Sequence, residues 1–280
     1  MPKISVITIN LNNCNGLIKT IESVVEQNYD DYEYLIIDGG SNDGSIETIR
    51  NREVKISYWI SEPDHGIFNA MNKGILKAQG EYLLFLNSGD TLADINVLNN
   101  LFNFEPIEDI VYGDLILSEN GMTHLHKFPN KVDYEYFFYE TLGHPSTLIK
   151  RELFKIVGLY DENLKVISDW AFFLKAIVIH KASYRHVDMP VSVFMLDGAS
   201  SLPVNSERKR IEREKVLVSL FPRFNIDFHH YPHLFNSRIA SFYNFFTGTR
   251  ICHYIIVKLV KVLVFFKGII QTFWSFNKML

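Results

Sequence analysis

The chain has 280 residues, 28 Lys or Arg against 32 Asp or Glu, a formal net charge of −4 and a hydrophobic fraction of 47%. That allows one large domain, or one domain plus an appendage, with an ordinary core. Two cysteines, Cys14 and Cys252, exclude a disulfide framework and any cysteine-spaced zinc site.

Met1-Pro2-Lys3 leads at once into an apolar strand, Ile4 to Ile9, which ends at Asn10-Leu11-Asn12-Asn13. No signal peptide precedes it, so the active portion is expected in the cytoplasm. Leu17, Ile21, Val24 and Val25 recur at helical spacing and predict the next element. A second apolar run, Glu33 to Ile37, delivers Asp38 into the turn Gly39-Gly40-Ser41-Asn42-Asp43-Gly44. A short helix is expected over 45–51 and a strand over 56–60. Glu62-Pro63-Asp64-His65-Gly66 is loop chemistry. Ile67, Ala70, Met71, Ile75 and Ala78 share one helical face. The strand Tyr82 to Leu86 then runs into Asn87-Ser88-Gly89-Asp90, and a helix is expected near 94–103. Strands alternating with helices imply a mainly parallel sheet.

After Phe104 the pattern changes. Ile110 to Tyr112 reads as a strand reaching Gly113-Asp114, and Asn120-Gly121 is a hairpin signal. A further strand is expected at 144–149, helices near 150–157 and 168–180, and strands at 183–188 and 191–195. Residues 200–230 read as a charged helix and connector, dense in both signs from Glu207 to Lys215.

Two apolar strands each ending in an Asp within a Gly/Ser turn carry the functional argument. In an open α/β sheet the ligand crevice lies at the carboxyl ends of the strands. Small residues there let backbone approach a ligand closely, and the carboxylates can take a ribose, a base or a hard cation.

These motifs, in this order, resemble the family 2 glycosyltransferases over roughly residues 3–200. The matching pieces are Ile4 to Thr8 with Asn10, Asp38 to Gly44, Glu62 to Gly66 followed by Ala70, Asn72 and Gly74, and Gly80-Glu81-Tyr82 into Asn87 to Asp90. His144 to Thr147, Gly158 to Glu162 and Ser168-Asp169-Trp170 complete the series. The resemblance implies a GT-A fold, a Rossmann-like mainly parallel sheet with flanking helices. Residues 1–104 would form the nucleotide-sugar half and 105–200 the acceptor and catalytic half. It implies an inverting hexosyl- or N-acetylhexosaminyltransferase that uses a nucleotide sugar, by default a UDP-sugar, on a saccharide or lipid-linked acceptor in bacterial surface-polysaccharide synthesis. Thr8, Asn10, Asp38, Ser41, Asp43, Asp64, Asn72, Asn87 and Ser88 would bind the donor, and Asp38 would hydrogen-bond the nucleobase. Asp90 would bind a divalent cation, Mg²⁺ or Mn²⁺, and Asp169 would be the base. The sequence departs from the pattern twice. The usual acid-rich tetrad keeps only Asp90, and the usual Glu-Asp pair is Ser168-Asp169.

Plainer readings stand beside these. Asp169 and Asp43 suit helix N-caps, and Asp64 and Asp90 suit turns. His144 alone suits the core, and the cluster Tyr134 to Tyr139 suits packing under a loop. Asp197 to Ser201 reads as a loop after a strand. His124 and His126 alternate along the hairpin and are expected at the surface.

The last acid is Asp227, so residues 228–280 carry six Lys or Arg and no acid, leaving −10 on the first 227 residues. Apolar runs near 255–266 are interrupted by Lys258, Lys261 and Lys267, which makes a spanning helix costly. The tail at 229–280 is expected to lie on an anionic membrane surface, with Trp274 and Phe276 as anchors, or to pack on protein; nucleic acid is not the expected partner. A nucleotidyltransferase lacks support because no Gly-rich basic loop follows the first strand. A dinucleotide dehydrogenase is excluded by the missing Gly-x-Gly-x-x-Gly. A sugar-nucleotide-binding protein that has lost catalysis is the non-enzyme alternative, favoured by the thinned acidic turn.

Overall fold

Ile4–Asn10 is buried at every residue, and so are the last five residues of Tyr32–Asp38. Strands covered on both faces read as continuous apolar runs, which explains the lack of alternation there. The computed structural model describes residues 1–119, 121–196 and 205–221, all within one compact unit. The first half contains β1 (Ile4–Asn10), α1 (Cys14–Val25), β2 (Tyr32–Asp38), α2 (Ser45–Arg50) and β3 (Tyr58–Ser61). It continues through α3 (Ile67–Lys77), β4 (Tyr82–Phe85), β5 (Thr91–Leu92) and α4 (Val97–Asn103). The second half contains β6 (Ile110–Glu119), β7 (Met122–His126), α5 (Tyr134–Tyr139), β8 (Thr147–Lys150) and α6 (Leu153–Val157). α7 (Ser168–Leu174), a π-helical turn at Lys175–Ile179, β9 (Tyr184–Met195) and α8 (Ser206–Leu220) follow.

One sheet runs in the order β3-β2-β1-β4-β8-β6-β9-β5, with β7 paired to β6. β1 to β4 are mutually parallel. β8 is antiparallel to both β4 and β6, so β6 and β9 again run with β4. The carboxyl ends of both parallel groups therefore meet along one edge. Odd residues of β1 and β2 (Ile7, Ile9, Leu35, Ile37) face a core built with α3, α6 and α7. Even residues (Ile4, Val6, Tyr34, Ile36) face a second core under α1 and α4. α3 reaches β1 because residue 74 is glycine: a Cβ there would lie 2.6 Å from Ile7 Cγ2.

Several expectations are corrected by long-range pairing. The strand begun at Ile110 does not stop at Tyr112 but runs through Asp114 to Glu119. The two strands expected at 183–188 and 191–195 are one, β9, whose register against β6 shifts around Gly113 and Asp114, where Pro190 faces Asp114. Proline has no N–H for the ladder, and the irregularity absorbs the mismatch. Tyr134–Tyr139 is a short helix with Phe137 fully buried, rather than chain under a loop. α8 is not a free connector: Val216 and Leu217 are buried in the core against the α7 face. β7 is exposed throughout, with His124 and His126 at the surface as expected. The tail at 229–280, the loop Asp197–Ser201 and Asn120 lie outside the described residues. Among the described residues no helix is long and apolar enough to cross a membrane.

Candidate active site

The β2 turn is organised around Asp38, which is fully buried. Its Oδ1 accepts from Asn10 Nδ2 at 2.7 Å and Ser41 Oγ at 2.6 Å. Its Oδ2 accepts from the Gly40 and Ser41 amides at 3.1 and 2.9 Å, and from Ser61 Oγ. Burial works against the charge, but the hydrogen bonds from Ser41, Ser61 and Asn10 outweigh it and hold the carboxyl below its usual range. Gly40 takes a positive φ of 83°, which brings its amide round onto the carboxylate. Ser41 Oγ also accepts the Asn12 amide at 2.8 Å, so Asn10, Asp38 and Ser41 form one closed cluster. Asp38 thus spends its acceptor capacity on the turn, which leaves little for a base. Thr8 lies beneath the cluster, fully buried, sharing a hydrogen bond with Tyr34 OH; it is a core residue, not a surface ligand.

Asp43 accepts from the Cys14 amide at 2.7 Å and from the Ser45 amide and hydroxyl. It therefore ties the first turns of α1 and α2 together, while the N-cap position expected for it is held by Gly44. The hydrogen bond from the Ser45 hydroxyl is the main reason its carboxyl is held low.

Asp64 is better placed to meet a ligand. Its Oδ1 accepts the Gly66 amide at 2.9 Å. Its Oδ2 points at Gly39 so closely that a Cβ there would sit 2.7 Å away, with Leu11 Cδ1 at 3.2 Å. Leu11 is exposed. Gly39, Leu11 and Asp64 thus lie in close contact, an apolar side chain, a bare backbone and a carboxylate oxygen side by side.

Asn72 is buried and committed. It donates to the Tyr160 carbonyl and to Glu162 Oε1, both at 2.9 Å, and accepts the Tyr160 amide at 3.0 Å. Asn69 donates to Glu162 Oε2 and accepts the His65 amide. These bonds lock the segment 160–162 onto α3, next to the Asp64 loop.

At the end of β4 the Ser88 amide donates to the Ile9 carbonyl, and Asn13 donates to the Ser88 carbonyl at 2.8 Å. Thr20 accepts the Gly89 amide and donates to the Asp90 carbonyl. Gly89 has φ +110°, open to glycine at little cost. Asp90 is 5% exposed, and its Oδ1 accepts the Met195 amide from β9 at 3.3 Å. Asn87 Oδ1, in the same turn, is buried without a partner. Among the described residues no group of three or more His, Cys, Asp or Glu gathers to hold a metal. One carboxylate and one amide oxygen do not make a protein cage. They do fit a hard cation that arrives with a diphosphate and takes most of its oxygens from phosphate and water.

Asp169 sits in the first turn of α7, one residue beyond the capping scheme: Ile167 holds the N-cap position and the helix starts at Ser168. The residue is half-buried, and burial of its carboxyl pushes the pKa up to about 6, against hydrogen bonds from the Trp170 and Asp169 amides and the charges of Arg213 and Lys209. Tyr160 lies nearby, raised well above the usual tyrosine value by burial and by the Asp169 charge. His144 is stacked on Phe85 at 4.7 Å and bonded to Tyr160 OH at 2.7 Å. Burial lowers its pKa to about 3, so it is a neutral core histidine. Asp161 is exposed and occupied by Asn163.

The charged helix expected within 200–230 is α8, but its contacts with the α7 region were not foreseen from the sequence. Glu212 accepts the Lys165 and Val166 amides at 2.9 and 3.1 Å, just before α7. Arg213 lies 5.0 Å over the Trp170 ring and donates to the Tyr139 carbonyl. The only signal was the apolar pair Val216-Leu217 beside the charged run. A cavity of about 600 Å³ lined by Lys3, Tyr29, Glu81 and Phe102 lies at the other end of the strands, away from these turns.

A sheet whose carboxyl edge carries two small-residue Asp turns fits a GT-A glycosyltransferase scaffold. The model of glycosyl transferase family 2 matches residues 5–153, just over half the chain. The chain belongs to glycosyl transferase family 2. A PGL/p-HBAD biosynthesis glycosyltransferase of Mycobacterium bovis is 28% identical over 215 residues, covering 74% of this chain and 82% of that protein. Among solved structures, S. aureus TarS 1-349 in complex with UDP-GlcNAc superposes with a TM-score of 0.62 at 18% identity, over 80% of this chain and 67% of that one. Against a longer TarS chain the match spans only 40% of its length. The mannosyltransferase PcManGT from Pyrobaculum calidifontis, in complex with GDP-Man and Mn²⁺, gives a TM-score of 0.53 at 17% identity, over 94% and 81%.

Proposed function

We propose that this chain is an inverting glycosyltransferase that moves a hexosyl or N-acetylhexosaminyl group from a UDP-sugar to a saccharide or lipid-linked acceptor in surface-polysaccharide synthesis. The observation that carries the reading is Asp169, a half-buried residue in the first turn of α7 whose carboxyl has its pKa raised to about 6 by burial. A base of that strength is ionised near neutral pH and still basic enough to take a hydroxyl proton.

In this reading the base of the nucleotide lies against the outer face of Leu11, Gly39 and Asp64, and Asp64 Oδ2 accepts an N–H from it. Asn10, Asp38, Ser41 and Asp43 hold the turn that shapes this face. Asn87, Ser88 and Asp90 face the diphosphate, and Asp90 with Asn87 Oδ1 would hold a divalent cation there. When bound, that cation supplies charge neutralisation to the leaving diphosphate. Asp169 then takes the acceptor hydroxyl proton as the oxygen attacks the anomeric carbon. The names of similar proteins support the donor and metal assignments: TarS with UDP-GlcNAc and PcManGT with GDP-Man and Mn²⁺. The basic tail, 229–280, would hold the enzyme on the cytoplasmic face of an anionic membrane, where a lipid-linked acceptor waits.

A panel of sugar nucleotides tests the reading, by thermal stabilisation and by donor hydrolysis with and without Mg²⁺ or Mn²⁺. A UDP-sugar is expected to stabilise the protein most. If no sugar nucleotide is bound or hydrolysed, the assignment fails.

A further inference from the structure

α8 carries two half-buried cations, Lys209 and Arg213, without ion-pair partners among the described residues. Arg210 pairs with Glu207 at 2.6 Å and with Glu214 at 3.7 Å. Lys209 and Arg213, one helical turn apart, have no ion-pair partner among the described residues. Like charges at this spacing cost a few tenths of a kcal/mol on a helix. Glu212, the acid between them, is turned to the Lys165 and Val166 amides and cannot serve them. Glu140 is near enough to influence Arg213 but is exposed and forms no ion pair with it.

Arg213 is held firmly with its charge unspent. Its guanidinium lies 5.0 Å over the Trp170 ring, and Nη1 donates to the Tyr139 carbonyl at 3.2 Å. Its Nε is buried with no partner, a costly state unless a ligand fills it. Trp170 directly follows Asp169, and the charges of both Arg213 and Lys209 reach the Asp169 carboxyl. Two cations beside a general base oppose its basicity, so they need another reason to be there.

We propose that Lys209 and Arg213 form a subsite for an anionic group of the acceptor, a phosphate, diphosphate or carboxylate carried close to the hydroxyl that receives the sugar. The inference rests on Asp169 being the base. The donor diphosphate is the less suitable occupant. α8 contacts Tyr139, the 165–166 backbone and Trp170, while the turns at 38–45 and 87–90 are built by α1, α2 and α3. Two sources share the required chemistry: the diphosphate of a lipid-linked sugar and the carboxylate of an acidic sugar. Arginine presents the planar fork that either would match.

The test measures calorimetric binding of three octyl glycosides to the full chain with saturating UDP and Mg²⁺: a neutral glycoside, its diphosphate-linked form and its uronate. One or both anionic probes are expected to bind at least about tenfold more tightly than the neutral one. That advantage should vanish in K209M/R213M and shrink in salt raised well above physiological strength. Which anionic probe wins tells a lipid diphosphate from an acidic sugar. The salt series on the wild type stands by itself if the double variant does not fold, and R213K tests whether the planar fork or only its charge is needed. No preference for either anion, or a preference untouched by salt, overturns the proposal. So does a K209M/R213M chain that loses UDP affinity and keeps its anion preference, since the cations would then belong to the donor. If UDP itself does not bind, the donor reading fails, and the anion preference can still be read without it.

Discussion

Asp169→Asn is expected to make the protein slower and, at neutral pH, more stable. The folded-state pKa of Asp169 is raised from 3.8 to about 6, with burial the largest cause. The unfolded chain therefore gives up this proton first. Its stability contribution is intact below about pH 4, is lost as pH rises through the interval to about 6, and is flat above that. Two pKa units correspond to about 3 kcal/mol, and between pH 4 and pH 7.5 about 2 kcal/mol of that is realised. Asn carries no such cost. The stability difference between Asp169→Asn and wild type should grow by about 2 kcal/mol over that range, a Tm gain of roughly 5 °C for a domain of this size. Turnover should fall by about 10² to 10⁴, because a base has been removed. Urea unfolding at the two pH values, with a transfer assay on the same preparations, separates the readings. A variant less stable by a similar margin at both pH values would mean that the carboxylate serves only the first turn of α7. Near-wild-type turnover would move the proton acceptor elsewhere. Asp161→Asn, exposed and bound only to Asn163, should change neither quantity.

Asp38→Ala should destabilise the protein by more than about 3 kcal/mol, since several buried donors lose one charged acceptor; a smaller loss by urea titration would contradict the closed cluster. Because the Asp38 carboxyl is held below its usual range, wild type should keep this contribution above the unfolded carboxylate pKa and lose it only as pH falls through the lower folded value. Asp64→Ala should weaken UDP binding about tenfold and cost less than about 1 kcal/mol of stability, and unchanged affinity would remove Asp64 from the donor site. Asp90→Asn should abolish most of the Mg²⁺ or Mn²⁺ dependence of UDP binding in calorimetry, and a metal response equal to wild type would remove Asp90 from the cation. Truncation after Asn225 should release the protein from anionic liposomes at low salt; a full chain that does not pellet with them ends the membrane reading.

The parallel half of the fold was legible because its signals are local. β1, β2 and β4 are short apolar runs bounded by Gly, Asn or Ser, and each helix between them carries its own stripe. The second half was less legible because its elements are defined by partners far away in sequence. β5 is two residues long, Thr91–Leu92, and exists only because Val193 and Ser192 of β9 pair with it. β9 looked like two strands because Pro190 interrupts its alternation, and only β6 opposite shows that the strand continues.

The same division runs through the site. Asp38, Asp43 and Asp90 were found because strand-to-turn motifs announce carboxylates, but the motif does not say what each carboxylate touches. Asp38 turned inward because Asn10, 28 residues earlier, and Ser61, 23 residues later, donate to it. Asp64, two residues from a glycine, accepts the Gly66 amide on Oδ1, while Oδ2 lies over Gly39. Glu212 was invisible for the corresponding reason. An acid in a run dense with both charges reads as solvated surface, and nothing local ties it to amides 46 and 47 residues upstream. A glutamate that fixes the segment before α7 and an arginine stacked on Trp170 make α8 part of the packing around α7. The segment leading into α7 is then held from both sides, by Asn69 and Asn72 of α3 through Glu162 and by Glu212 of α8. A change on either helix should therefore be felt at Asp169 as displacement of the proton acceptor from the acceptor hydroxyl, even where no side chain of the site has been altered.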